Sequence, residues 1–355
     1  MSVALRILDT AEMPARWNVA MTAALTELHR AGRIADTLRF HRYPAAVLIG
    51  RHQNLGQAVH VGRCRAAGIE LARRVTGGGA VYMAPGALAW DLVIGRDTVG
   101  SRLNHAAAAV GEAVAAALAR LGLPARYRAE NEIEIAGRKI CGMSGYFDGG
   151  TLVYQGTILT DASLSNMSRF LKLPLKRTQS LRHDLRERLA TVTEILGRNP
   201  DPGEIENAIE AELAHALGRS SIRRDLTVEE RELAEEWHRT EFGLESFVSG
   251  CDLPSEEMTM IGRDGCVHAY IKLIPGSERL IDQIWLTGNF SVSPSRTIPD
   301  LEAALRGMPV QHASERTVEI LSSRQIEMRG ASCCDLAAAI AKAAVGGCGR
   351  RTKSL

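Results

Sequence analysis

Apolar residues recur at three- and four-residue intervals in two long stretches. Between Ala15 and Ala31, Trp17, Met21, Ala24 and Leu28 fall on one face of a predicted helix. A second helix is expected from Ser101, a suitable cap, through Leu103, Ala107, Val110, Val114, Leu118 and Leu121, with Pro124 helping to stop it. Elsewhere the pattern alternates, as half-buried strands do. Phe40 to Gly50 reads as a strand ending in Arg51-His52-Gln53-Asn54, and more strands are expected between Ile69 and Ile94 and between Arg126 and Leu159. In Thr178 to Arg188, Arg182, Arg186 and Arg188 alternate with Asp184 and Glu187, and Leu189, Val192, Ile195 and Leu196 follow. Mixed signs beside an apolar stripe favour an amphipathic helix with a solvated face over a basic groove for RNA. Asn199 to Gly203 is a loop, Ile205 to Leu217 a helix, and Val228 to Arg239 a charged helix containing Trp237.

The pattern changes near Gly243 to Gly250, which divides the chain into a larger domain, 1–245, and a smaller one, 246–355. In the smaller one, Cys266 to Ile274 and Ile281 to Phe290 read as strands joined around Pro275-Gly276, and Ile298 to Leu305 and Asp335 to Ala344 as helices. The class is α/β (α+β): a mixed sheet flanked by helices, followed by a small α/β unit.

Two segments carry candidate chemistry. Arg73-Arg74-Val75-Thr76-Gly77-Gly78-Gly79-Ala80-Val81-Tyr82 runs two guanidinium groups into three glycines and back into strand-forming residues. Successive N–H groups in such a turn can converge on an anion, and arginines add planar donors suited to phosphate or carboxylate. A hairpin turn with two solvated arginines is the plainer reading of this segment alone. The second segment runs from Asn131 to Gly145. Ala136-Gly137 turns it and Lys139 opens the return strand. Strict alternation then puts Lys139, Cys141 and Met143 on one face and Ile140, Gly142 and Ser144 on the other. Small residues around Lys139 leave space for a ligand; a solvated hairpin lysine is the alternative. After the Asp148-Gly149-Gly150 turn comes Leu152 to Asp161, with Gly156 inside an otherwise apolar strand, a position that often marks close approach by a ligand or another backbone.

Taken together, Arg73 to Tyr82, Asn131 to Ser144 and Gly156 to Asp161 resemble, in order and spacing, the lipoate–protein ligase family of the bacterial two-domain type. The resemblance implies a biotin/lipoyl protein ligase-like (class II synthetase-like) catalytic domain with a C-terminal accessory domain. It implies two steps: ATP, with Mg²⁺, activates lipoate or octanoate to acyl-AMP, and a lysine of a lipoyl carrier domain then takes the acyl group as an amide. Lys139 is the implied catalytic residue, contacting the acyl carboxyl oxygen and the α-phosphate. Arg73 or Arg74, with Gly77, Gly78, Gly79, Ala80, Val81 and Tyr82, would hold the nucleotide. Gly142, Ser144, Gly156, Thr157 and Leu159 would flank the adenylate, and Asn131 would orient a phosphate or Mg²⁺. The chain departs from the family at Met83 and at Tyr154-Gln155, where histidine is common, and at Cys141, where serine is common.

Cys141 raises a rival. Octanoyltransferases share the fold and the lysine but use a cysteine nucleophile and an acyl-carrier donor. No cysteine precedes Asn131 where one transferase group carries it, and a small packed thiol is the usual state of such a residue. A non-catalytic lipoate- or ATP-binding protein is a further alternative, and Gly137-Arg138-Lys139 lacks the spacing of a Walker motif.

Composition changes little. The 355 residues carry a net charge of +2, giving no reason to expect general affinity for nucleic acid. Seven cysteines without paired spacing, Cys333, Cys334 and Cys348 among them, form no disulfide framework or zinc-ligand pattern. With neither a signal-peptide pattern nor an apolar run of spanning length, the expectation is a cytoplasmic monomer away from membranes.

Overall fold

The computed structural model describes residues 4–83, 86–128, 131–161, 163–172, 181–250, 260–264, 266–277 and 279–346. The chain divides into two units. The first comprises Met1–Ile49, Leu55–Thr76 and Ala80–Val248; the second comprises Gly50–Asn54, Gly77–Gly79 and Ser249–Leu355.

The first unit opens with β1 (Leu5–Glu12), α1 (Ala15–Arg30), β2 (Thr37–Arg42), β3 (Ala46–Ile49), α2 (Leu55–Ala58), α3 (Val61–Ala66), β4 (Glu70–Arg73) and β5 (Val81–Met83). It continues through β6 (Ala87–Gly95), α4 (Arg96–Val99), α5 (Leu103–Arg120), β7 (Arg126–Arg128), β8 (Glu132–Ile135), β9 (Arg138–Asp148) and β10 (Thr151–Leu159). Then come α6 (Leu164–Phe170), α7 (Leu181–Arg188), α8 (Val192–Leu196), α9 (Pro202–Ala216), β11 (Ser221–Arg223) and α10 (Val228–Trp237); α11 (Glu245–Ser249) runs across the division.

An eight-stranded sheet, β11-β1-β2-β6-β10-β9-β8-β7, forms its centre. β1 pairs parallel with β2 and β11, and the pairs from β2 through β7 are antiparallel, so the sheet is mixed. One face is covered by α5 and α9, where Val110, Val114 and Leu118 pack with Ile205, Ile209 and Leu213 over Leu38, Phe40, Trp90 and Tyr154. Ala20, Met21, Ala24 and Leu25 of α1 meet small and branched residues of the other face, Ala89, Val93 and Val153. A three-stranded sheet, β4-β3-β5, lies within the same unit.

Local sequence accounts for several helix ends. Asp201 accepts from the Gly203 N–H at 2.7 Å while Glu204 accepts from the Asp201 N–H at 3.0 Å, a reciprocal capping box with Pro202 in the first turn. Thr227 and Glu230 cap α10 in the same way. Three expectations need correction. The strand expected from Phe40 to Gly50 is two strands, interrupted at Tyr43-Pro44 where proline removes a ladder donor. Arg102, not Ser101, precedes α5, without a side-chain cap. The amphipathic helix expected to run on from Arg188 breaks, and α8 starts afresh with Thr191 accepting from the Glu194 N–H at 3.2 Å; residues 178–180 lie outside those described.

Gly156 answers to packing. A Cβ there would stand 2.3 Å from the Trp90 indole, and one at Gly145 would stand 2.3 Å from the Tyr154 ring. The two glycines leave the depth that lets these aromatic residues, fully buried and 6.2 Å apart, lie flat on β9 and β10. The ligand-approach reading of Gly156 gives way to this one.

The second unit contains β12 (Met260–Asp264), β13 (Val267–Leu273), β14 (Ile281–Gly288), β15 (Ser291–Ser293), α12 (Thr297–Ala304), α13 (Ala313–Ser322), β16 (Glu327–Arg329) and α14 (Cys333–Gly346). β12, β13 and β14 form an antiparallel sheet, and β15 pairs with β16. Its own core joins Ile271, Leu286 and Phe290 to Leu301, Leu336 and Ile340. α13 is not among the elements expected from sequence, although its buried residues Ala313, Thr317, Ile320 and Leu321 are spaced as one helix face.

Replacing Gly156 by alanine forces a methyl group against a rigid ring. The variant should lose about 1–3 kcal/mol of stability, read as a lowered urea midpoint with unchanged slope. An unshifted midpoint would mean that Trp90 can move aside.

Candidate active site

Register builds the site from rows of residues on the α1 side of the central sheet. Side chains directly opposite each other on paired strands share a face. One row is therefore Glu132, Gly142, Thr157, Ala89 and His41, running from β8 through β9, β10 and β6 to β2. The neighbouring row is Ser144, Gln155, Asp91 and Arg39. The middle of the first row has only glycine, threonine and alanine side chains, which makes a shallow floor; the second is polar throughout.

Lys139 reaches this floor because β9 is irregular. Ile133 pairs with Cys141 but Glu134 pairs with Lys139, leaving Ile140 as an extra residue in the β9 strand. Such a bulge re-aims the side chains around it. Strict alternation would have set Lys139 beside Cys141; the bulge instead turns Lys139 onto the face of Gly142. A Cβ on Gly142 would be 2.8 Å from both Cε and Nζ of Lys139, so the missing side chain is the groove in which the lysine lies. Its Nζ donates to Glu132 Oε1 at 2.8 Å, and both side chains remain about one-third exposed, at 34% and 36%. An exposed pair of this kind is weak, so an incoming anion can exchange for the carboxylate at small cost. Glu132 is the residue that sequence reasoning passed over; its place opposite the glycine depends on where the bulge falls.

Cys141 has the opposite environment. It is fully buried in the apolar core under α5, and burial pushes its thiol up to about 12, only partly offset by Lys139 and a backbone hydrogen bond. A nucleophilic cysteine needs a thiolate and access, and this residue has neither.

The other expected site residues divide. Gly142, Ser144, Thr157 and Leu159 share the Lys139 face through register, while Gly156 is on the Cys141 face. Asn131 adopts a left-handed backbone with φ 65° and accepts from the Tyr154 hydroxyl at 2.7 Å, while its carbonyl accepts from the Met143 N–H. Arg73 is buried and donates to the carbonyls of Phe247 and Val248, each at 2.9 Å. Arg74 donates to the Leu48 carbonyl at 3.0 Å, and burial lowers its guanidinium to about 10. Tyr82 is a core residue, stacked on Phe170 with ring centroids 5.5 Å apart, its hydroxyl accepting from Asn166; Ala80 and Val81 are half-buried beside it in the chain.

The three glycines, Gly77 to Gly79, belong to the second unit. There the Gly78 N–H donates to the Phe290 carbonyl at 3.0 Å, and a Cβ at Gly77 would meet that carbonyl at 2.4 Å. Close backbone approach is why side chains are excluded here. Within the polar row of the first unit, Asp91 and Arg39 form an ion pair at 2.7 Å with neither side chain exposed. Burial raises the Asp91 carboxyl, but Arg39, His41, Gln155 and Thr22 together hold it below its ordinary value. His41, also buried, is pushed down to about 3 by desolvation and by Arg39, so it is neutral. Among the described residues no group of three His, Cys, Asp or Glu side chains converges on a common point, and no helix is long and apolar enough to cross a membrane.

The site is thus a partly exposed lysine on a glycine floor of a mixed α/β sheet, in a chain that also holds a triple-glycine turn. Residues 14–214 match the lipoyl protein ligase A/B catalytic domain, and the chain belongs to that family. It is 27% identical to an octanoyltransferase LipM of Symbiobacterium thermophilum, covering 68% of this chain and 97% of the relative. It is 30% identical to lipoate-protein ligase A subunit 1 of Thermoplasma acidophilum, covering 66% and 93%. Its fold is similar to that of a lipoate-protein ligase A bound with ATP, with TM-score 0.62 and 27% identity over 70% of this chain and 99% of that one.

In the folded protein at pH 8, Cys141 should resist alkylation over hours and label promptly once the chain is unfolded, as peptide mass spectrometry would show. Labelling in the native state would contradict the burial described.

Proposed function

We propose that this chain is an ATP-dependent lipoate–protein ligase. It joins lipoate or octanoate to AMP with release of pyrophosphate, then passes the acyl group to a lysine of a lipoyl carrier domain, as a cytoplasmic monomer. The observation that carries this reading is the separation on β9: a partly exposed ammonium on the glycine floor, and a sealed, protonated thiol on the far side.

The chemistry asks for such an arrangement. The first step brings a carboxylate against a triphosphate, and the repulsion between them must be neutralised where charge develops. Lys139 supplies one positive charge on a short tether. When the acid's oxygen bonds to the α-phosphorus, the bond to pyrophosphate breaks, and the ammonium stabilises both the carboxyl oxygen and the phosphoryl oxygens. In the second step the carrier's neutral amine attacks the acyl carbon and AMP leaves. Gly142, Ser144, Thr157 and Leu159 flank the adenylate. Main-chain groups of the Gly77–Val81 segment other than the Gly78 N–H, which is given to Phe290, hold the nucleotide phosphates in this reading, with Arg73 and Arg74 bracing the strand that leads to it. Mg²⁺, when bound, would neutralise charge on those phosphates, and Asn131 would be the residue beside them.

The likeness to an octanoyltransferase LipM supports a second reading, acyl transfer without nucleotide. Cys141 is the residue that reading would enlist, and its burial speaks against it.

Lys139→Ala should lower lipoate-dependent ATP–pyrophosphate exchange by about a hundredfold or more, with the circular dichroism of the folded protein retained. Cys141→Ser should leave exchange near the wild-type rate. Near-normal exchange by the lysine variant, or acyl transfer that needs Cys141 and no ATP, would overturn the proposal.

A further inference from the structure

Gln155 interrupts an otherwise apolar strand and holds two partners at once. Its Nε2 donates to Asp91 Oδ1 at 2.7 Å, and its Oε1 accepts from the Thr76 hydroxyl at 2.9 Å. The direction of this chain is not arbitrary. An ionised carboxylate only accepts, so the nitrogen end of the amide must face Asp91 and the oxygen end must face Thr76. The second Asp91 oxygen is taken by Arg39 at 2.7 Å and the Thr22 hydroxyl at 2.8 Å. Arg39 thus anchors Asp91, Asp91 orients Gln155, and Gln155 holds Thr76.

Thr76 is 1% exposed and immediately precedes Gly77. Three consecutive glycines do little to restrict their own φ and ψ, so the path of the turn is imposed by what it contacts, the Phe290 carbonyl at Gly78 included, and by the residues that flank it. On the amino-terminal flank, the one side chain between Val75 and the glycines is that of Thr76.

We infer that Gln155 is a positioning residue: by holding the Thr76 hydroxyl it sets the direction in which the chain enters the glycine turn. The inference rests on the ligase reading for its link to nucleotide, since that reading gives the turn the phosphates. In this role Gln155 acts through Thr76.

The test uses the full chain with Gln155→Ala, Thr76→Val, the double variant and Thr76→Ser. Losing one hydrogen bond of this kind should raise KM for ATP in exchange assays about three- to tenfold, with KM for lipoate unchanged. The double variant should be no worse than the poorer single one, because both break the same link. Thr76→Ser, which keeps the hydroxyl, should behave as wild type. Amide hydrogen exchange across residues 74–81, measured without substrates, should quicken in Gln155→Ala and Thr76→Val alike. Thr76→Val leaves the Gln155–Asp91 contact in place and keeps the claim testable if Gln155→Ala does not fold. A rise in KM for lipoate instead, additive losses, or unaltered hydrogen exchange at the turn would overturn the inference. If the wild-type protein shows no acid-dependent exchange of pyrophosphate, the ligase reading fails, and the hydrogen-exchange arm still decides whether Gln155 positions the turn.

Discussion

At the centre of the large sheet a carboxylate and a guanidinium, Asp91 on β6 and Arg39 on β2, lie 2.7 Å apart with no solvent on either. Two such charges are tolerable in the interior only together, since removing either would leave the other buried and unpaired. Strand order and register must therefore bring β2 beside β6 with these residues opposite each other. The same register sets the whole α1-facing side: once Asp91 is opposite Arg39, Ala89 is opposite His41, Thr157 opposite Ala89 and Gly142 opposite Thr157. The floor of the candidate site is thus laid out by the pairing that satisfies a buried charge.

What stands on that floor depends on a second constraint, the bulge at Ile140. Without the extra residue, lysine and cysteine would share a face, as a nucleophile and an activating cation would need to. With it, the lysine crosses to the glycine groove and Glu132, and the thiol stays in the apolar layer under α5. A single inserted residue separates two chemistries that one sequence segment could otherwise suggest. The proposed ligase reading rests on this separation.

Much of this was legible in the chain itself. α1 and α5 follow from apolar residues at helical spacing, and both bury the faces read from sequence, with Trp17 only half-buried. The three motif segments led to the family to which residues 14–214 belong. Helical periodicity and ordered motifs are local signals, so they survive being read one residue at a time. α13 escaped although Ala313, Thr317, Ile320 and Leu321 are spaced as one helix face; the stripe is short and two of its four members are alanine and threonine, so it weighs little until set against the core of its own unit.

The sequence by itself determined the helix faces, the mixed α/β class and the residue types available for chemistry. Tertiary structure alone decided which side of the sheet each of them serves. Gly142 makes room for a lysine and Gly156 for an indole, although the two look alike in the chain. Asp91, Gln155 and Thr76, far apart in sequence, become one hydrogen-bonded line. The physical reason is that a strand's side chains alternate with a period of two, so one bulge or one choice of partner reverses every assignment beyond it, and neither is written in the residues of the strand that is reversed.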